Sequence, residues 1–263
     1  MAAKKRFLKV VVPIYNGGRR FAETMYPTIR EQTFTDYRLI CVDDMSDDDT
    51  PEILEGLDCE VIRLESKGYA GGARNAAFKV HKTDAYTLCL DDDDVLFHDG
   101  VFQLIHDCAV KNGMPDVIRM NYRNHMQGKE MQPLGTLVPT ESTVERICLD
   151  WMRHMPWSMC VKSSKRTDFP EGITTDDGVG ALRCLDECET AAVIPECCYV
   201  WNLRPGSITR SQGNPLQVAS HHVELGLLYR MGWCDEKDGG LSHEWARQAA
   251  RERYAHIRKK MMR

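Results

Sequence analysis

Short β-branched apolar runs alternate with longer helical stretches through the first half of the chain. Leu8 to Tyr15 holds Val10, Val11, Val12 and Ile14 in a run too short for a helix. A helical stretch follows from about Arg19 to Gln32, then a second strand from Tyr37 to Val42. Ser46, Asp47 and Pro51 open a short helix, since polar caps and an early proline suit a helix N-terminus. Cys59 to Leu64 reads as a third strand, Gly72 to His81 as a helix and Ala85 to Leu90 as a fourth strand. Val101 to Lys111 is helical and Asp116 to Asn121 is strand again. This alternation predicts an α/β fold with right-handed crossovers and a mainly parallel sheet flanked by helices. After Asn214 the pattern is mostly helical, so a main domain over 1–213 is followed by a helical extension over 214–263. Tyr122 to Leu137, rich in Asn, Gln, Gly and Met, is expected to be a variable loop.

In such sheets ligands bind beyond the carboxyl ends of the strands. Three polar signatures stand at those ends: Pro13-Ile14-Tyr15-Asn16, Val42-Asp43-Asp44-Met45-Ser46 and Asp91-Asp92-Asp93-Asp94. Four adjacent carboxylates repel one another and gain stability from a hard cation such as Mg²⁺ or Mn²⁺. The net charge of −5, without basic-aromatic interleaving, argues against nucleic-acid binding. Eleven cysteines without a C-x-x-C pair, and a start without an apolar targeting core, read as reduced thiols of a cytoplasmic protein. No apolar run approaches membrane-spanning length. Gly68, Gly71 and Gly72 lack the spacing of a dinucleotide fingerprint.

Taken in order, these segments resemble the family 2 glycosyltransferases, which have the GT-A nucleotide-diphosphosugar transferase fold. The resemblance runs through Val11 to Asn16, Gln32 to Tyr37, Val42 to Asp47, Gly71-Gly72-Ala73-Arg74-Asn75 and the D-x-D element Leu90 to Asp94. It continues in Phe169-Pro170-Glu171-Gly172 with Asp176-Asp177, and in Arg204 to Thr209. The resemblance implies a nucleotide-sugar half over about 1–121 and an acceptor half over about 122–213. It implies that Pro13, Tyr15 and Asn16 border the base and that Asp44, backed by Asp43, accepts its N–H, which favours a uridine donor. Arg74 suits the donor phosphates, because a guanidinium at a glycine-led helix start binds anions. Asp91 and Asp92 would face the nucleotide, and Asp91 with Asp93 would hold Mn²⁺ or Mg²⁺. Asp177 would be the general base and Asp176 its partner, in place of a more usual glutamate. Trp157 and Arg204 are candidates for contact with the acceptor or the donor sugar.

The implied activity is inverting, metal-dependent transfer of a sugar to a saccharide or lipid-linked saccharide in surface-polysaccharide assembly. A nucleotidyltransferase, or a non-catalytic nucleotide-sugar-binding protein, is the alternative reading. Within Trp245 to Met262, Ala246, Ala250, Tyr254, Ile257 and Met261 form an apolar stripe amid Arg247, Arg251, Arg258, Lys259 and Lys260. Such a helix either lies on an anionic membrane at the cytoplasmic face or packs on the domain with a solvated basic side. His221 and His222 read as ordinary helix residues rather than metal ligands.

Overall fold

A computed structural model describes residues 4–126, 129–130, 143–149, 155–203 and 215–261. The alternation of the first half becomes β1 (Leu8–Ile14), α1 (Gly18–Glu23), α2 (Met25–Arg30), β2 (Tyr37–Asp43), α3 (Thr50–Glu55) and β3 (Glu60–Arg63). These are followed by α4 (Tyr69–Lys79), β4 (Tyr86–Cys89), β5 (Val95–Leu96), α5 (Val101–Lys111) and β6 (Val117–Met126). The rest comprises β7 (Lys129–Glu130), α6 (Val144–Leu149), β8 (Met159–Lys162), α7 (Asp177–Asp186), β9 (Ala191–Asn202), α8 (Pro215–Trp233) and α9 (Glu244–Met261).

Among the described residues the strands form one sheet ordered β3-β2-β1-β4-β8-β6-β9-β5, with β7 on β6. β3, β2, β1 and β4 run parallel, as βαβ crossovers require. β8 enters antiparallel between β4 and β6, so the whole sheet is mixed. The parallel half aims the ends of β1, β2 and β4 at one rim, where the three polar signatures emerge.

Several boundaries differ from the sequence expectation, each for a visible reason. The stretch 19–32 is two helices broken at Thr24, because Pro27 has no N–H to donate and crowds the preceding turn. Gln32 then fastens the end of α2, donating to the His98 carbonyl and accepting from the Phe102 N–H. Ser46 and Asp47 do not open α3; its cap is Asp49, while Ser46 and Asp47 tie down the loop after β1. The segment expected to be a loop from Tyr122 is strand as far as Met126, paired with β9.

One core packs Val10, Val12, Leu88, Phe102 and Ile118 between the sheet and α1, α2 and α5. A second joins Val161 and Val193 to α7, α8 and α9 through Leu182, Leu228, Met231, Ala246 and Ala250. The apolar stripe of α9 is therefore spent on the domain, and Arg247 and Arg251 donate to the carbonyls of Leu241 and Gly232. That packing removes the apolar face on which the membrane-surface reading of this helix stood. No described helix is long and apolar enough to cross a membrane. Every cysteine whose side chain is described is a free thiol.

Candidate active site

The turn after β2 is built by its own carboxylates. Asp43 accepts the Ser46 N–H at 2.9 Å and lies 3.4 Å from the Arg63 guanidinium. Asp44 accepts the Gly68 N–H at 2.7 Å, and its other oxygen lies 3.1 Å from Lys67 Nζ. The Lys67 ammonium also sits over the ring of Tyr15, which is 47% exposed. Asn16, at φ 48°, accepts the Asp47 N–H and donates to the Asp47 carboxylate, clasping the β1 and β2 ends together. Pro13 remains within β1 opposite Val42. Pro13, Tyr15, Asn16, Asp43 and Asp44 thus converge on one rim, with Lys67 among them.

Arg74 is the centre of the second cluster, and it is not where sequence reasoning put it. Its side chain is 2% exposed, so it is neither aimed at an open phosphate site nor part of a surface ion pair. Nη1 donates at 2.7 Å to both Asp176 and Asp177, and Nη2 donates to Asp91 at 3.1 Å. One guanidinium therefore joins the end of β4 to the start of α7. Asp177 keeps 36% of its side-chain surface, whereas Asp176 beneath it keeps 3%. Burial pushes the Asp91 carboxyl up to about 8, and the like charges of Asp177, Asp93 and Asp92 act in the same direction against Arg74. Burial and then Asp177 push Asp176 up to about 7, again against Arg74.

The four aspartates after β4 separate into different environments. Asp92 pairs with Arg20 of α1, and its carbonyl accepts from Thr24, so its carboxylate is turned toward α1. Asp94 is buried and accepts from the Tyr199 hydroxyl at 2.6 Å and the Asn202 N–H at 2.7 Å, bracing β9. Asp93 receives the Asn202 side-chain amide on its carbonyl. Asp91 and Asp93 supply hard oxygen donors. Among the described residues no three carboxylate, histidine or cysteine side chains gather into a metal cage. That donor set suits Mg²⁺ or Mn²⁺, which take one or two carboxylates and complete their shell with substrate phosphates and water.

The glycine-rich start of α4 serves the neighbouring loop. A Cβ on Gly71 would lie 2.1 Å from the Pro170 carbonyl oxygen, so only glycine lets residues 169–172 come this close. Asn75 exchanges hydrogen bonds with the Phe169 backbone and donates to Glu171. The Gly172 N–H donates to the Gly68 carbonyl. Through Gly68 the Asp44 turn is thus tied to the segment that leads into Asp176.

Trp157 is a correction. It is 2% exposed, stacked on Tyr199 at 4.5 Å and edge-on to Tyr122 at 4.6 Å, and so belongs to the core rather than to a sugar-facing surface. Arg204 lies outside the described residues. The sequence reading also missed a support behind the Asp176–Asp177 turn. Ser220 accepts the Thr174 N–H, while fully buried Glu224 holds Arg253 at 2.8 Å and lies 3.3 Å from His221. The backbone at Gly178 rests on Arg253, leaving no room for a Cβ. A separation of 29 residues between Glu224 and Arg253 leaves no local signal for this pair.

Known proteins share both the sequence and the architecture. The model of Glycosyl transferase family 2 matches residues 9–129. The glycosyltransferase GlyG of Streptococcus pneumoniae is 32% identical over 226 residues, covering 78% of this chain and 73% of GlyG. Among solved structures, TarS of S. aureus (residues 1–349, with UDP-GlcNAc) superposes with a TM-score of 0.75 at 18% identity. That match covers 98% of this chain and 73% of the TarS chain. The mannosyltransferase PcManGT of Pyrobaculum calidifontis, with GDP-Man and Mn²⁺, gives a TM-score of 0.56 at 14% identity over 98% of this chain and 76% of its own. The acidic rim, the mixed sheet and these likenesses lead to one conclusion: the chain belongs to the family 2 glycosyltransferases and is a glycosyltransferase of GT-A fold.

Proposed function

We propose that this glycosyltransferase uses a uridine diphosphate sugar and a divalent cation, Mn²⁺ or Mg²⁺. It transfers the sugar with inversion to a saccharide or lipid-linked saccharide, in surface-polysaccharide assembly. The observation that carries the reading is the Arg74 bridge, which holds Asp91 on the donor side and Asp177 on the acceptor side within reach of one guanidinium. The TarS complex with UDP-GlcNAc supports a uridine donor, and the PcManGT complex with GDP-Man and Mn²⁺ supports the cation.

In this reading Tyr15 stacks on the base and Asp44 accepts its imide N–H. Asp91 and Asp93 hold the cation, which when bound offsets charge on the departing nucleoside diphosphate. Asp177, the more exposed of its pair, takes the proton of the acceptor hydroxyl as that oxygen bonds to the anomeric carbon. Buried Asp176 and Arg74 fix its orientation. Attack from the side opposite the leaving phosphate inverts the anomeric configuration. The exchange of a sugar rather than a nucleotidyl group follows from the family, so the nucleotidyltransferase alternative is set aside.

The test is Asp177→Asn with turnover and UDP affinity measured together. Turnover is expected to fall about 10²- to 10⁴-fold, the range of a lost general base, with UDP affinity nearly unchanged. A variant that keeps parental turnover would contradict the assignment.

A further inference from the structure

We propose that Lys67 is a tethered occupant of the base subsite, a side chain that an incoming nucleotide has to displace and that thereby weakens donor binding. The inference rests on the reading that Tyr15 and Asp44 receive the base. Those groups offer a base an aromatic face and a carboxylate acceptor, and Lys67 already uses both. Its ammonium lies over the Tyr15 ring, 3.1 Å from Asp44 Oδ2 and 3.0 Å from the Asp44 carbonyl oxygen. A cation over a ring, donating to a carboxylate beside it, reproduces the two contacts of a stacked heterocycle with an imide N–H.

The backbone around Lys67 is fixed while its side chain is free to leave. The Gly68 N–H is held by Asp44, and the Gly68 carbonyl accepts from Gly72 and Gly172. The Lys67 side chain is 32% exposed, and Tyr15 stands at the surface, so the ammonium can swing into water without moving the main chain. The carboxylate keeps its Gly68 bond throughout, so the subsite stays formed when Lys67 departs. What the nucleotide has to overcome is one cation–ring contact, one ion pair and one hydrogen bond to the Asp44 carbonyl oxygen. The Lys67 end of the pair is 32% exposed while the Asp44 end is 4% exposed, so water screens only the ammonium, and removing the ammonium is expected to tighten base binding by about threefold to tenfold.

The experiment titrates UDP and uridine into the full chain, its Lys67→Met variant and its Lys67→Arg variant, in Mn²⁺ buffer. Methionine keeps the length of the stem without the charge, and arginine restores a cation. Lys67→Met is expected to bind UDP about threefold to tenfold more tightly than the parent, with Lys67→Arg close to the parent. The same ordering for uridine assigns the gain to the base subsite, because uridine carries no phosphate for a distant charge to attract. Weaker UDP binding by Lys67→Met overturns the proposal and makes Lys67 a nucleotide contact; equal binding overturns it and makes Lys67 a bystander. Either result leaves uridine recognition standing. If UDP and uridine bind none of the three proteins, the base-site reading falls and the inference falls with it.

Discussion

Two acidic regions on the same rim solve the problem of crowded carboxylates in opposite ways. In the turn after β2, Asp43 and Asp44 each meet a backbone N–H and a separate cation, Arg63 for one and Lys67 for the other. At the ends of β4 and the start of α7, Asp91, Asp176 and Asp177 share the single guanidinium of Arg74. The first region gives each carboxylate its own cation, although Asp43 Oδ2 has no hydrogen-bond partner. The second gives three carboxylates a single arginine, and burial raises the carboxyls of Asp91 and Asp176. On the proposed function the difference separates base recognition from a reaction centre that takes up a cation and a donor.

The sharpest way to break this contrast is Arg74→Met. Asp176, the buried one of three carboxylates, would lose its partner together with the part-exposed Asp91 and Asp177, and leaving buried charge unpaired costs about 3–5 kcal/mol. Denaturant unfolding should show that loss together with abolished transfer, whereas Lys67→Met, which takes the cation from one carboxylate that keeps its Gly68 N–H, should cost less. Arg74→Lys should recover only part of the stability, because an ammonium lacks the fork that reaches carboxylates on both sides.

Glu224→Gln tests the support behind the reaction centre and is expected to have the next largest effect. Arg253, which carries the backbone of Gly178, would lose its charged partner, at about 2 kcal/mol of stability. If the pair also orients Asp177, turnover should fall while UDP affinity holds. An equal loss in both would make the extension a general brace.

A smaller effect comes from pH. Asp176 has its folded value raised to about 7, above the ordinary carboxyl value near 4. Between those values the folded chain holds more protons than the unfolded one, so stability falls as pH rises through this window. Without divalent cation the melting temperature should therefore drop by about 3 °C or more from pH 5 to pH 7.5. Asp176→Asn, which needs no proton to stay neutral, should reduce that slope, leaving the share that Asp91 contributes in the same direction.

Much of the parallel half was legible because β-branched runs such as Val10-Val11-Val12 leave little choice but strand, and right-handed crossovers do the rest. The placing of Tyr15, Asp44 and Asp91 was legible for the same reason, since strand ends of a parallel sheet share a rim, whereas Asp177 opens α7 and is joined to Asp91 through Arg74. The partners of those residues were not. Arg74 meets Asp176 across 102 positions and Glu224 meets Arg253 across 29, distances at which no periodicity speaks. Trp157 misled because an aromatic next to a strand looks the same whether it stacks on a sugar or, as here, on Tyr199. Lys67 escaped notice because nothing in the segment Ser66-Lys67-Gly68 says that its amine reaches back to Tyr15.

The most direct measurement is UDP affinity of the intact chain in Mn²⁺ and in chelator, by calorimetric titration. A reaction centre short of positive charge predicts binding at least about tenfold tighter with Mn²⁺, a gain of about 1.4 kcal/mol, that disappears in Asp93→Asn. Identical affinity in Mn²⁺ and in chelator would contradict the account.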